Sequence, residues 1–389
     1  MTECVAGFTS TGSKRPAALF GAEVEAAPLR MTRSSGSSVW DERGREYLDY
    51  IMGLGAVALG YGHPEVSRAA VEAVQLGVVG PLAPVQEEAL AGDLCRLMPW
   101  LERVRFLKTG AEAMSAAVRL ARVVTGRDLV LGCGYHGWHD WCETREDRGV
   151  PAATRALYRV LPFNDPDGSR ELIRATGDRL AAVVFEPVIL KPPDADWLAV
   201  LREETSRVGA LLVTDEIKTV CRLAIGGACE RYGIRPDLVV MGKAIANGFP
   251  LAAVGGRADV MNAVSRTWIS STLATEFVSL AAARATLATM VAAQVPAHLT
   301  RVGTRLLAGL RRLAEAHSEV VLQADGIAEM CFLQYRDDAV SGRVALACAA
   351  RGLLFKRTGY NFVSLAHDDA AVDRTIGILD EVLTSLRRS

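Results

Sequence analysis

The stretch Asp237-Leu238-Val239-Val240-Met241-Gly242-Lys243-Ala244-Ile245-Ala246-Asn247-Gly248-Phe249-Pro250 decides how the chain folds. Its apolar run, Leu238 to Met241, reads as a buried strand, and a Gly/Asn/Pro-rich turn follows. A lysine stands between the two. A second such run, Ala210-Leu211-Leu212-Val213-Thr214, ends in Asp215-Glu216. A lysine on a loop beside a strand end can form an imine with an aldehyde. A carboxylate at another strand end can hold a pyridinium nitrogen. Together they point to a pyridoxal phosphate site, with Lys243 as the Schiff-base lysine and Asp215 as the pyridinium partner. Most lysines are solvated surface charges, so the surroundings and a phosphate loop have to carry this reading.

Outward from there the pattern repeats. Short apolar runs at 104–107, 129–132, 181–185, 210–214, 238–241 and 251–255 alternate with helical segments. That alternation predicts an α/β fold with a mostly parallel central sheet and helices on both faces. Ligands of such sheets sit outside the carboxyl ends of the strands. A Thr-Gly loop, Tyr135, Glu186, Asp215 and Lys243 all fall just after predicted strands. Upstream, 37–51 reads as a hairpin turning at Asp41-Glu42-Arg43-Gly44, with helices at 64–77 and 86–98. Downstream, long helices at 277–293 and 297–317 precede strands at 319–336, a helix at 341–351, strands at 353–366 and a helix at 369–388. The expected division is 1–55 as an N-terminal segment of a small domain, 56–290 as the large cofactor-binding domain, and 291–389 as a small α+β domain. Segment 1–15, rich in Ser, Thr and Gly, is expected to be loose.

Composition narrows the partners. The 389 residues carry a net charge of -1, which gives no electrostatic case for nucleic acid or an anionic membrane. No window reaches the roughly 18 apolar residues of a membrane span. Lys14 and Arg15 are not followed by an apolar h-region, so no signal peptide is expected. The cysteines at 4, 95, 133, 142, 221, 229, 331 and 348 form no C-x-x-C pair, and read as reduced thiols of a cytoplasmic protein.

The run Val104-Arg105-Phe106-Leu107 leads into Lys108-Thr109-Gly110-Ala111, and a helix begins. A Thr-Gly turn at a helix N-terminus offers free N–H groups, a hydroxyl and the positive end of the helix dipole to a phosphate. An ordinary N-cap by Thr109 is the alternative. Tyr135 and His136 follow Gly132-Cys133-Gly134, where an aromatic ring can stack on a flat cofactor. His136, His139 and Asp140 lack a further ligand motif, so no metal is expected and local hydrogen bonding accounts for the histidines. Gly53-Leu54-Gly55-Ala56-Val57-Ala58 matches the dinucleotide G-x-G-x-x-A pattern. Gly60, Gly62 and Pro64 follow at once, so no helix opens to meet a pyrophosphate, and a nicotinamide dehydrogenase is a weak rival.

From about Val39 to its end the chain resembles the class III pyridoxal phosphate aminotransferases of fold type I, in particular their glutamate-1-semialdehyde aminomutase branch. The likeness is carried by Leu107-Lys108-Thr109-Gly110-Ala111-Glu112-Ala113, Tyr135-His136-Gly137-Trp138-His139-Asp140, Glu186-Pro187-Val188, Thr214-Asp215-Glu216-Ile217-Lys218-Thr219, Gly226-Gly227-Ala228, Arg235-Pro236-Asp237 with Gly242-Lys243, and Ser271-Thr272-Leu273. The resemblance implies that Lys243 binds the cofactor aldehyde and moves the proton, and that Asp215 pairs with the pyridine nitrogen. It implies that Thr109, Gly110 and Ala111 bind the phosphate, Tyr135 stacks on the ring, and Ile217 packs on the opposite face. His136 and Glu186 belong with the cofactor site. Thr272 would reach the phosphate of the neighbouring subunit in a homodimer.

Three departures bear on substrate. The aminomutases hold a substrate carboxylate with an N-terminal arginine. The similar stretch here is Pro16-Ala17-Ala18-Leu19-Phe20, with Ala18 at that place and Arg15 nearby. A pocket tryptophan becomes Leu54. The asparagine a few residues after Glu186-Pro187-Val188 is missing, with Lys191 in that region. Cofactor machinery kept and substrate contacts changed predict an aminotransferase that takes its amine from glutamate or glutamine. It would pass the amine to a ketone or aldehyde, including a neutral keto-sugar or cyclitol of an antibiotic pathway. The alternatives are an intramolecular aminomutase and a non-catalytic cofactor-binding homologue.

Overall fold

The computed structural model describes residues 4–21 and 27–386. The chain forms two compact units, a terminal unit from Met1–His63 with Ala297–Ser389 and a middle unit from Pro64–Pro296. In the terminal unit β1 (Met31–Ser35), β2 (Ser38–Asp41) and β3 (Glu46–Asp49) run antiparallel, the β2–β3 hairpin turning where the sequence predicts. The middle unit holds β4 (Arg103–Leu107), β5 (Leu129–Cys133), β6 (Tyr158–Val160), β7 (Leu180–Phe185), β8 (Leu211–Asp215), β9 (Leu238–Met241) and β10 (Ala252–Gly256). The terminal unit resumes with β11 (Val321–Ile327), β12 (Met330–Tyr335), β13 (Leu353–Leu354) and β14 (Asn361–Phe362). β13 joins β3 in parallel, and β11, β12 and β14 form a separate sheet.

The seven strands of the middle unit lie in the order β4-β10-β9-β8-β7-β5-β6. Only β10 runs against its neighbours β4 and β9, so β4, β5, β6, β7, β8 and β9 point the same way. Each predicted strand of this sheet is present. The three-residue edge strand β6 is an addition, because a run so short carries no readable period. Every residue of β5, β7, β8, β9 and β10 is buried. Burial of each Val or Leu there stabilises by about 2 kcal/mol relative to exposure.

Helix Gly110–Thr125 packs on this sheet, burying Ala113, Met114, Ala117, Leu120 and Ala121. It starts with a full capping box between Thr109 and Glu112 and stops at Gly126, whose φ of 67° suits a residue without a Cβ. The nucleotide-like stretch near Leu54 is a single irregular turn in which Gly53 and Leu54 are left-handed, at φ 59° and 61°. Among the described residues no single helix is long and apolar enough to cross a membrane.

Candidate active site

Because the parallel strands share one direction, their carboxyl ends deliver Lys108-Thr109, Tyr135, Glu186, Asp215 and Lys243 to one edge of the sheet. Register does the fine placement. Asp215 lies opposite Val240 across the β8–β9 ladder, three residues before Lys243. The N–H of Glu186 donates to the Cys133 carbonyl at 2.9 Å, which extends the β5–β7 pairing to the residues before Tyr135.

Lys243 opens a 3-10 turn with φ at +46°, a left-handed value that costs a lysine about 1 kcal/mol or more. Extended Gly242 precedes it and left-handed Asn247 closes the turn. Burial lowers the Lys243 amine from its ordinary 10.5, and the Lys218 ammonium nearby lowers it further, against the opposing pull of Asp215 and Glu186. The amine is therefore shifted toward its neutral form, which is both nucleophile and base.

Asp215 is buried and held on both oxygens. His136 Nδ1 donates to one at 2.9 Å and the Ile217 N–H to the other at 3.2 Å. A carboxylate only accepts, so this bond places the imidazole proton on Nδ1. His136 Nε2 is buried with no hydrogen-bond partner. On the other side, Glu186 accepts the Tyr135 N–H at 2.6 Å and a charged hydrogen bond from Lys218 Nζ. A Cβ on Gly134 would collide with Glu186 at 2.8 Å, so only glycine lets the carboxylate reach that N–H. Tyr135 is 73% exposed.

At the helix start Thr109 acts as the ordinary N-cap: its Oγ1 accepts the Glu112 N–H at 3.2 Å, and the Glu112 carboxylate accepts the Thr109 N–H at 2.8 Å. The next N–H groups, of Gly110 and Ala111, have no acceptor within the helix. Ile217 presses on this cradle, its Cδ1 only 2.7 Å from where a Gly110 Cβ would stand. A Cβ on Gly137 would likewise strike Ala111. Thr272 lies on an exposed turn. The other histidine of the Tyr135 loop, His139, is bonded to Ser115 Oγ at 2.7 Å.

These groups match a phosphorylated pyridine aldehyde: helix N–H groups for phosphate, a buried carboxylate for a protonated ring nitrogen, and a half-buried amine of lowered pKa for the aldehyde carbon. The family model for aminotransferase class-III matches residues 20–383. The chain belongs to the class-III aminotransferases. It is a pyridoxal phosphate enzyme of fold type I. It is 35% identical to a glutamate-1-semialdehyde 2,1-aminomutase of Thermomicrobium roseum, across 98% of this chain and 96% of that one. Among solved structures it is similar to the FumI protein of Sphingopyxis sp. MTA144 in its PLP internal aldimine form (TM-score 0.88, 27% identity, 93% of this chain and 90% of that chain). It is also similar to a β-phenylalanine aminotransferase of Variovorax paradoxus (TM-score 0.84, 28% identity, 95% of this chain and 91% of that chain).

Two contacts escaped the sequence reading. His136 was expected at the cofactor, but nothing in the sequence pairs it with Asp215, 79 positions away. Lys218 received no role, although a charge three residues after Asp215, in a segment that is otherwise largely buried, is the signal that could have found its bond to Glu186.

Proposed function

We propose that this aminotransferase takes an amino group from an amino-acid donor, glutamate or glutamine, and delivers it to a ketone or aldehyde lacking a carboxylate, such as a keto-sugar or cyclitol. The observation that carries the catalytic part is Lys243, a half-buried amine of lowered pKa at the same sheet edge as the His136–Asp215 pair. When bound, pyridoxal phosphate supplies an electron sink that makes the proton on the amine-bearing carbon acidic. Lys243 would hold the cofactor covalently through Nζ, and its free amine would move that proton as general base and then acid. Asp215 keeps a proton on the ring nitrogen, and His136 fixes the orientation of Asp215. Gly110 and Ala111 hold the phosphate through N–H groups at the positive end of the helix. Tyr135 and Ile217 would cover the two ring faces, and Glu186 fixes the Tyr135 loop.

The neutral acceptor is supported by Ala18 and Leu54, which stand where the aminomutase pattern has an arginine and a tryptophan. In the terminal unit a cavity of about 420 Å³ is lined by Leu19, Phe20, Ile51 and Gly53, beside those positions, and also by Lys14 and Arg30. Purified enzyme should aminate neutral keto-sugars or cyclitol ketones in preference to keto acids, and amination of keto acids alone would overturn the assignment. The name of the Thermomicrobium roseum relative favours a second reading, an intramolecular amino shift. Turnover of one substrate without added amine donor would establish that reading instead.

A homodimer with Thr272 directed at the neighbouring cofactor fits the exposed apolar side chains of the middle unit: Val71, Val74, Leu76, Val78, Leu82 and Val85 are 47–81% exposed. Sedimentation at micromolar concentration should give twice the chain mass.

A further inference from the structure

Lys108 and Glu276 lie 168 positions apart in sequence and 2.6 Å apart in space, with side chains only 13% and 10% exposed. Neither belongs to the cluster around Lys243, yet each sits at a junction. Lys108 immediately precedes the N-cap of the phosphate-cradle helix, and Glu112 binds the N–H groups of both Lys108 and Thr109, at 3.1 and 2.8 Å. Glu276 starts the helix Phe277–Ala292, accepting the N–H groups of Val278 and Ser279 at 2.6 and 2.9 Å. Its own N–H donates to the Leu273 carbonyl at 3.2 Å, and Ala274 donates to Ser271 at 3.1 Å, so the turn bearing Thr272 is tied to the helix that Glu276 caps.

Burial alone would raise the Glu276 carboxyl, but the bonds from Lys108 and Ser279 outweigh it and lower its pKa. A near-buried ion pair adds little net stability compared with apolar packing, whereas losing one partner is costly. Its contribution therefore lies in fixing where its two elements stand.

We propose that the Lys108–Glu276 ion pair is a positioning device for the cofactor phosphate, setting the helix start at Gly110–Ala111 in register with the Thr272 turn. The inference rests on the phosphate role given above to Gly110, Ala111 and Thr272, and both members act through those groups. One ion pair then adjusts the phosphate cradle of one subunit and the turn it offers to its partner.

The test is equilibrium binding of pyridoxal phosphate, and separately of pyridoxal without its phosphate, to cofactor-free enzyme. Lys108→Gln should weaken pyridoxal phosphate by roughly tenfold or more, the size of one lost charged hydrogen bond. Pyridoxal should change by less than about twofold, since the ring contacts are untouched. Glu276→Gln should do the same. If either variant fails to fold, the neutral pair Lys108→Gln with Glu276→Gln leaves no stranded charge and is held to the same criterion. Equal weakening of both ligands would reduce the pair to a structural contact, and unchanged pyridoxal phosphate binding would remove its role; either overturns the proposal. Wild-type protein that binds no pyridoxal phosphate would instead sink the cofactor role of the cradle, and the pair with it.

Discussion

Asp41 of the terminal unit and Lys243 of the middle unit are treated in opposite ways. In the terminal unit Asp41 accepts four hydrogen bonds, from Tyr47 Oη, Arg45 Nε and the N–H groups of Arg43 and Arg45. Burial works to raise its pKa, and these donors overcome it and bring it down to about 2. In the middle unit Lys243 is half-buried near a second lysine, its backbone is left-handed, and its amine is pushed toward neutrality. Asp41 is fully satisfied and adds stability. Lys243 is poorly satisfied, which is the condition of a reactive group.

The contrast is open to attack through mutations. Asp215→Asn should lower kcat/KM for amino transfer by roughly 10²–10³, because an amide cannot keep the ring nitrogen protonated. It should barely move the thermal midpoint, and a large loss of stability would mean that the middle unit uses its site for folding after all. Asp41→Ala should do the reverse. It strands a buried tyrosine hydroxyl and two N–H groups, at a cost of about 3 kcal/mol in urea unfolding, with cofactor affinity unchanged.

His367 sharpens the comparison through pH. Ser364 donates its N–H to Nδ1 at 3.0 Å and Nε2 donates to the Asp49 carbonyl at 3.1 Å, so the buried ring is neutral. Burial pushes its pKa from 6.5 to about 4. The unfolded chain then binds the extra proton first, so stability should fall as pH is lowered from about 6.5 toward 4, by about 3 kcal/mol in full. His367→Gln should flatten that slope, and an unchanged slope would assign it to other groups.

The smallest effect concerns Lys243 in cofactor-free protein. Its folded pKa lies below 10.5, so the unfolded state holds the proton more tightly and the lysine destabilises the fold at neutral pH. Lys243→Met should raise the thermal midpoint at pH 7. That gain should fade as pH rises toward 10.5 and the unfolded lysine also loses its proton. A lower midpoint for the variant would contradict the strained-site reading.

The same contrast explains what the sequence made legible. β7 and β8 are buried on both faces, so they appear as unbroken apolar runs, and the polar residue ending each run marks the site. The sequence singles out Glu186 and Asp215 on that basis, and Lys243 two residues past the end of β9. β13 and β14 are two residues each and carry no period, so their places in the terminal unit's sheets were not readable. Nor does an apolar run carry a direction, which is why the reversed β10 went unmarked. The His136–Asp215, Lys218–Glu186 and Lys108–Glu276 contacts join residues 32 to 168 positions apart, and only the fold brings them together.

The most direct test is chemical. Protein loaded with pyridoxal phosphate is reduced with borohydride, digested and mapped by mass spectrometry. The label should sit on the peptide carrying Lys243, and Lys243→Met should take up none. Label on Lys218, on Lys108 or on no lysine would contradict the account.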